Sequence, residues 1–439
     1  MKRLTFKKGI HPNYHKDLTA NKQIETILPN NELVFPMSQH IGAPCTPIVK
    51  KGDRVLVGQV IGKANGFVSA DIHASVSGNV KAIEVRMTHK GVKEECVIIT
   101  NDDLYEVSQD ILEYKQEQIE LTQDMLIDKV KQAGIVGLGG ATFPTHVKLS
   151  TPKDKRVEYI IVNAAECEPY LTSDHRVMLE QGEDLIGGLK ILASVFKDAK
   201  AVIAIEDNKM DAYEHLKGLI KQEDHLDIQL LHTKYPQGSE KHLIYAVTGQ
   251  EVPNGKLPIE VGCIVHNVDS VVAIYQAVTK GQPVLRRIVT VSGSGVNHPC
   301  NLEVKIGTSI KQVLEKAGYD AEKTVKIIVG GPMMGTAISD INVPVVKGVS
   351  AILCFTDKEM QKNEMTNCIR CGKCLTVCPM KLVPSILHRE AMLGHYDNFV
   401  KQGGMDCIEC GCCAYTCPAK RDLVQSIRTA KAIVRSKKS

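Results

Sequence analysis

Nine of the fifteen cysteines in this 439-residue chain lie between Cys368 and Cys417, in two copies of one pattern. The first runs Cys368-Ile-Arg-Cys371-Gly-Lys-Cys374-Leu-Thr-Val-Cys378-Pro379, the second Cys407-Ile-Glu-Cys410-Gly-Cys-Cys413-Ala-Tyr-Thr-Cys417-Pro418. Each reads C-x2-C-x2-C-x3-C-P, the ligand run of paired iron–sulfur cubanes: three close thiolates hold one cluster and the fourth reaches its neighbour. The spacing predicts two 4Fe-4S clusters. Cluster one falls to Cys368, Cys371, Cys374 and Cys417, and cluster two to Cys407, Cys410, Cys413 and Cys378. Structural zinc sites pair C-x2-C units and need no such doubled run. The predicted chemistry is one-electron transfer. Cys412 fills no ligand position. Cys45, Cys96, Cys167, Cys263, Cys300 and Cys354 lack metal spacing, so free thiols in reducing surroundings are expected rather than disulfides.

A second chemical signal is Gly137-Leu-Gly139-Gly140-Ala-Thr-Phe143-Pro-Thr-His146-Val-Lys148-Leu149. Close-set glycines let backbone N–H groups approach a phosphate or an aromatic ring, and Lys148 supplies a compensating charge. The run is not the dinucleotide fingerprint G-x-G-x-x-G, because a helix precedes it and Phe143 replaces the last glycine. By itself it reads equally as a tight structural loop.

The elements that must carry these motifs follow from periodicity and turn residues. The first hundred residues hold short period-two runs bounded by glycine, Val49–Gly62 and Ala74–Ile83, which predict a small hairpin-rich sandwich similar to lipoyl and biotinyl carrier domains. The hairpin between those halves, Ala64 to Ile72, has no lysine for covalent attachment, so a scaffold without a carried group is expected. A polar, acidic connector from Asp103 to Gln123 leads to an amphipathic helix, Asp124 to Ala133, stopped by Gly134. Buried strands at Tyr159–Val162 and Ala201–Ile205 alternate with helices at Asp184–Phe196 and Lys209–Lys221, the pattern of an α/β domain. Ile288–Val291, Ser309–Ala317 and Val325–Val329 predict a compact β–α–β unit. Helices flank the cysteine motifs, one of them Val383 to Leu393. The tail Lys420 to Lys438 carries seven basic residues against one aspartate, a solvated helix or a docking segment for an acidic partner or lipid surface.

Composition narrows the possibilities. Tryptophan is absent and aromatics make up only 4%, so cores are built from Val, Ile, Leu and Ala. A net charge of +4 argues for no nucleic-acid partner. The charged start has no apolar run behind it and predicts no signal peptide. Apolar stretches stay well below the ~18–20 residues of a spanning helix, which predicts a chain soluble on its own.

The glycine-rich segment does not stand alone. Gly137–Leu149 resembles the flavin loop of the flavoprotein subunit of respiratory complex I, and Asn163-Ala-Ala-Glu166-Cys-Glu168-Pro169 its acidic loop. Tyr235-Pro-Gln-Gly238-Ser-Glu240 and Val265-His266-Asn267-Val268-Asp269 resemble its later flavin-pocket segments. With the doubled cysteine run behind and the carrier-like domain in front, the whole layout resembles the RnfC family of Rnf-type electron transport complexes. Gln39–Pro44, His73–Gly78, Glu251–Pro258 and Gly330–Gly335 are further local matches.

The resemblance implies non-covalent FMN cradled by Gly137, Gly139, Gly140 and Lys148, with Asn163 and Asn267 reaching the ring or ribityl chain. It implies Phe143 against NADH, with Glu166, Glu168 and Glu240 lining the nicotinamide channel, and Tyr235, Gly238 and His266 in the pocket wall. Leu138, Ala165, His146 and His266 depart from the complex I residues Arg, Asp, Gly and Asn. The implied domains are a barrel-sandwich hybrid with connector (1–122), an FMN/NADH α/β domain (123–284) and a β-grasp (SLBB) domain (285–338). A linker (339–362), a double 4Fe-4S ferredoxin-like helical domain (363–421) and a basic tail (422–439) follow. The implied activity is that of an NADH dehydrogenase-type subunit exchanging electrons between NAD(H) and ferredoxin. Its implied partners are membrane subunits that move Na+ or H+, with ferredoxin reached through another subunit, at the cytoplasmic face of the membrane. A corrin reductase of diol-utilisation microcompartments shares the layout, and a non-catalytic iron–sulfur relay is the third reading.

Overall fold

The structure is a computed structural model that describes residues 3–115, 120–152, 154–360 and 364–437. Parts of the acidic connector, the linker's last two residues and the last two of the tail lie outside these.

The carrier-like region forms two small antiparallel sheets. One orders Glu32–Pro36, Lys93–Asn101, Gly78–Met87 and Arg54–Val55; the other orders Thr46–Pro47, Val60–Lys63 and Ile72–His73. Alternation decides which side chains enter: Leu33 and Phe35 are buried while Glu32 and Val34 are less so. The lysine-free hairpin turns at Asn65–Ser69, with Phe67 exposed at its tip.

The central domain is a four-stranded, all-parallel sheet in the order Leu226–Leu231, Lys200–Glu206, Tyr159–Ala164, Cys263–Asn267. The chain adds strands on one side of Tyr159–Ala164 and then crosses to the other for Cys263–Asn267. Strand order therefore reverses between these two, which makes the crevice beyond their carboxyl ends the natural ligand site of such a sheet. Helices Gly182–Val195 and Val268–Lys280 pack together through apolar faces on Leu185, Leu189, Val271 and Val272. The predicted helix after the connector spans Gln123–Gln132, with Thr122 as its N-cap (Met125 N to Oγ1, 3.3 Å) and Gly134 beyond its end at φ 62°.

Two segments enlarge the third domain beyond its expected limits. Its sheet orders Ile24–Ile27, Cys300–Lys305, Arg286–Ser292, Ala351–Thr356, Thr324–Val329 and Thr336–Ile338. Ala351–Thr356 lies in the stretch read as linker 339–362, yet it is a central strand with Ala351 to Phe355 all buried. It separates Arg286–Ser292 from Thr324–Val329, so the expected β–α–β unit is not formed by adjacent strands. The first strand comes from the segment assigned to the barrel: residues 3–27 leave the barrel, and Leu4 and Ile10 bridge to Leu231 and Tyr235 of the α/β domain. That segment is a strap, not part of the sandwich.

The cysteine region repeats one backbone plan. After each C-x-x-C come a left-handed residue pair (Arg370 φ 56° and Gly372 φ 74°; Glu409 φ 59° and Gly411 φ 81°) and a short helix, Lys373–Val377 or Cys412–Thr416. A longer helix follows, Pro384–Met392 or Leu423–Ser436, and these two pack together through Leu387, Ile427, Ala430 and Val434. The basic tail is thus in large part a docked helix.

Candidate functional site

At the switch point Asn163 and Asn267, the carboxyl-end residues of neighbouring strands, sit in register with one another. Asn163 Nδ2 donates to Gly238 O at 2.8 Å, which ties the later pocket segment to the sheet. Asn267 caps the next helix through Asp269 N at 3.0 Å and donates from Nδ2 to Asp174 at 2.7 Å.

The glycine loop closes over this crevice. Gly137 N donates to Phe143 O at 2.9 Å and Thr142 N to Gly137 O at 3.0 Å. A Cβ on Gly139 would stand 3.2 Å from Asn267 Nδ2, whereas one on Gly140 (φ 105°) would meet open space. Leu138 is buried in the core, its N–H on Ser270 Oγ at 2.9 Å and its carbonyl accepting from Arg287 at 2.7 Å. An apolar side chain suits that position, which explains the departure there. His146 is also buried, its Nε2 on Phe67 O at 2.9 Å, so the barrel hairpin tip anchors the flavin loop. Phe143 is half-buried.

Lys148 lies in the short helix Thr145–Leu149, its Nζ 2.7 Å from Glu240 Oε1 and 3.0 Å from Val265 O. His266 beside it is buried, and its Nε2 lacks a hydrogen-bond partner among the described residues. Burial, with help from the Lys148 charge, drives its imidazole down to about 3, so it stays neutral. These residues fit a flavin nucleotide: a cradle free of side chains at Gly140, amide groups at strand ends, a lysine for charge and an orphaned buried ring nitrogen.

The two loop glutamates do not share one channel. Glu166 (φ 46°) turns its carboxylate onto the start of helix Ser173–Glu180, accepting from Asp174 N at 2.7 Å and His175 N at 3.3 Å. This placement corrects the expectation of a nicotinamide-lining side chain with the physical need of a helix N-terminus for an acceptor. Glu168 faces the other way, accepting from Met333 N at 3.0 Å and lying 3.5 Å from the Tyr235 hydroxyl. Burial lifts its carboxyl to about 7. Tyr235 is fully buried, and its hydroxyl donates to Cys410 O at 2.7 Å. Gly330–Gly335, read as a turn, packs into the same junction: a Cβ on Gly331 would collide with the Glu168 carboxylate, and one on Gly411 would stand 3.1 Å from Met333 O.

Cys378, Cys407, Cys410 and Cys413 line one hollow of ≈ 370 Å³ of empty space, together with apolar Leu387, Val424 and Ile427. Four thiols converging in an apolar cavity fit a cubane's donor set. Cys374 and Cys417 pack together with Cys413 near the second helix, while Cys368 and Cys371 are exposed. Cys412 is buried, within 4.0 Å of Tyr235 O, and belongs to the wall between the flavin crevice and this cavity.

Several residues here carry no sequence signal. Lys16, from the N-terminal strap, is buried and donates to Glu166 O at 2.8 Å, Glu168 O at 3.0 Å and Leu171 O. Lys209, also buried, donates to Ala165 O at 2.7 Å and pairs with Glu206 at 3.2 Å. Two ammonium groups thus pin the acidic loop by its backbone. Asp174, buried against Asn267, has its carboxyl raised, first by burial and then by Glu166 and Asp269.

Parallel sheet, glycine cradle and paired cysteine run together define a flavin and iron–sulfur electron-transfer protein. Matches to family models agree: residues 130–276 with the Nuo51 FMN-binding domain, 4–104 with the RnfC barrel sandwich hybrid domain, 288–337 with the SLBB domain and 360–418 with the 4Fe-4S dicluster domain. The RnfC-type component of the Na(+)-translocating ferredoxin:NAD(+) oxidoreductase complex of Acetobacterium woodii is 46% identical over 97% of this chain and 96% of its own. The counterpart from the proton-translocating complex of Clostridium ljungdahlii is 45% identical over 98% and 93%. An air-oxidized NAD+-reducing [NiFe]-hydrogenase covers 74% of this chain and 68% of its own at a TM-score of 0.51 and 18% identity, a likeness of fold. The chain belongs to the RnfC family, one of the subunit families that make up Rnf-type ion-translocating ferredoxin:NAD+ oxidoreductase complexes.

Proposed function

We propose that this chain is the NADH-oxidising subunit of such a complex, relaying electrons between NAD(H) and partner subunits that exchange them with ferredoxin and translocate Na+ or H+. We place it at the cytoplasmic face of the membrane, held by those partners. No helix among the described residues is long and apolar enough to cross a membrane. FMN, when bound, accepts a hydride and releases its two electrons singly, which matches a two-electron nicotinamide to one-electron 4Fe-4S clusters.

The chain's own residues supply position and insulation. Gly137, Gly139 and Gly140 clear space for the flavin, Asn163, His266 and Asn267 present polar atoms to it, and Lys148 offers the charge a phosphate requires once released from Glu240. Gly238 holds Asn163 in place. Phe143 and Glu240 border the nicotinamide side. Glu168 and Tyr235 serve the other side, where electrons leave.

The observation that carries this reading is the Tyr235 hydroxyl on the Cys410 carbonyl. It makes one buried side chain common to the flavin crevice and the wall of cluster two. In this reading cluster two (Cys407, Cys410, Cys413, Cys378) takes electrons first, and cluster one (Cys368, Cys371, Cys374, Cys417), with two exposed ligands, passes them on. The test is NADH reduction followed by EPR in two variants. Cys368→Ser should leave cluster two reducible by NADH, whereas Cys407→Ser should strand cluster one oxidised. The opposite pattern would refute the order.

A further inference from the structure

The basic tail contains a lysine that is neither solvated nor free for a partner. Lys431, in the helix Leu423–Ser436, is 5% exposed. Its Nζ donates to Cys407 O at 2.6 Å and lies 2.7 Å from Glu409 Oε1. Glu409 is itself held by Arg428 at 2.9 Å, and its N–H lies 3.4 Å from Cys407 Sγ. A triad of Lys431, Glu409 and Arg428 therefore rests on the first C-x-x-C of the second motif.

Among the described residues the first motif has nothing equivalent. Arg370 stands where Glu409 does, between the first two cysteines. Met392, fourteen residues past Cys378 as Lys431 is past Cys417, is 65% exposed. Two motifs with the same backbone plan thus differ in the charges placed at matched positions.

Burying an ammonium is costly unless its bonds are met, and here the apolar contacts of the same helix through Ile427, Ala430 and Val434 would hold equally well around a methionine. The position therefore calls for an electrostatic reason. Reducing a cluster by one electron, supplied from NADH through the flavin, adds one negative charge and no proton. A fixed cation beside a ligand stabilises that charge in a low-dielectric setting, and an unbalanced carboxylate opposes it.

We propose that Lys431 is a positioning residue that raises the reduction potential of cluster two through Cys407, with Glu409 as its counterweight. The inference rests on the assignment of Cys407, Cys410, Cys413 and Cys378 to one cluster. It sets the ease with which that cluster takes an electron from the flavin side, independently of cluster one.

The test is an EPR-monitored redox titration of the full chain, purified anaerobically with both clusters, alongside Lys431→Met, Lys431→Arg and Glu409→Gln. Lys431→Met should move one of the two reduction waves to a more negative potential, Glu409→Gln should move the same wave to a more positive one, and Lys431→Arg should stay near the parent. The other wave serves as the internal reference. Unmoved waves, shifts of the same sign in Lys431→Met and Glu409→Gln, or loss of a cluster from both would overturn the proposal by leaving the triad a purely structural clamp. The underlying cluster assignment fails separately: the unmodified chain would then hold iron for one cluster or none.

Discussion

Glu168→Gln offers a stability test whose sign is fixed by the geometry of the junction. The Glu168 carboxyl is lifted from 4.5 to about 7, first by burial, against the opposing Met333 and Met334 amides and the Lys16 charge. The folded state therefore holds this proton more tightly than the unfolded chain does. Any stability this gives is complete below pH 4.5 and is lost as pH rises to about 7. At about 1.4 kcal/mol for each tenfold change in proton affinity, ionised Glu168 costs the fold ~3 kcal/mol above that window. Glutamine keeps an oxygen for the Met333 amide and carries no charge. Relative to the parent, Glu168→Gln should thus gain about 3 kcal/mol between pH 4.5 and pH 8. The assay is urea unfolding followed by far-UV circular dichroism, with the difference between the two chains compared at each pH so that shared terms cancel. A difference that is flat with pH, or that favours the parent as pH rises, would refute the buried-carboxyl account.

Other perturbations test the remaining parts. Lys148→Ala should weaken FMN retention about 10- to 100-fold, the equivalent of one charged hydrogen bond, while iron content and cluster spectra stay intact; ultrafiltration and flavin fluorescence measure both. Cys378→Ser should lose cluster two and leave cluster one, whereas Cys412→Ser should keep about eight irons per chain; iron and sulfide assays separate them. Lys16→Met should leave the three carbonyls of the acidic loop without their shared donor, at about 1–3 kcal/mol for each unmet group, and should expose that loop to faster amide hydrogen exchange.

The sequence carried those features whose cause is local. Cluster cysteines announce themselves by spacing, and helix ends by Thr122, Gly134 and Ser309. The Ser309 side chain does accept from Gln312 N at 3.3 Å at the start of Ile310–Lys316. Strand Ala351–Thr356 escaped notice because a buried apolar run of six within a stretch of mixed character looks like linker until its neighbours are known. Ile24–Ile27 escaped because only one of its four residues is fully buried. The site's backbone clamps were illegible for a deeper reason. Lys16 meets Glu166, and Tyr235 meets Cys410, across 150 and 175 residues of chain, and nothing near either residue encodes its partner. The acidic loop shows the converse: its glutamates were found by resemblance, but only the fold reveals that Glu166 serves a helix end while Glu168 faces the cluster.

The central claim is that one chain carries NADH's electrons through a flavin into two clusters. It is tested most directly by purifying the chain anaerobically, measuring FMN, iron and sulfide, then adding NADH and recording the visible spectrum. The account predicts one FMN, about eight irons per chain, and bleaching of both flavin and cluster bands. Clusters without flavin, or bands that NADH leaves unchanged, would contradict it.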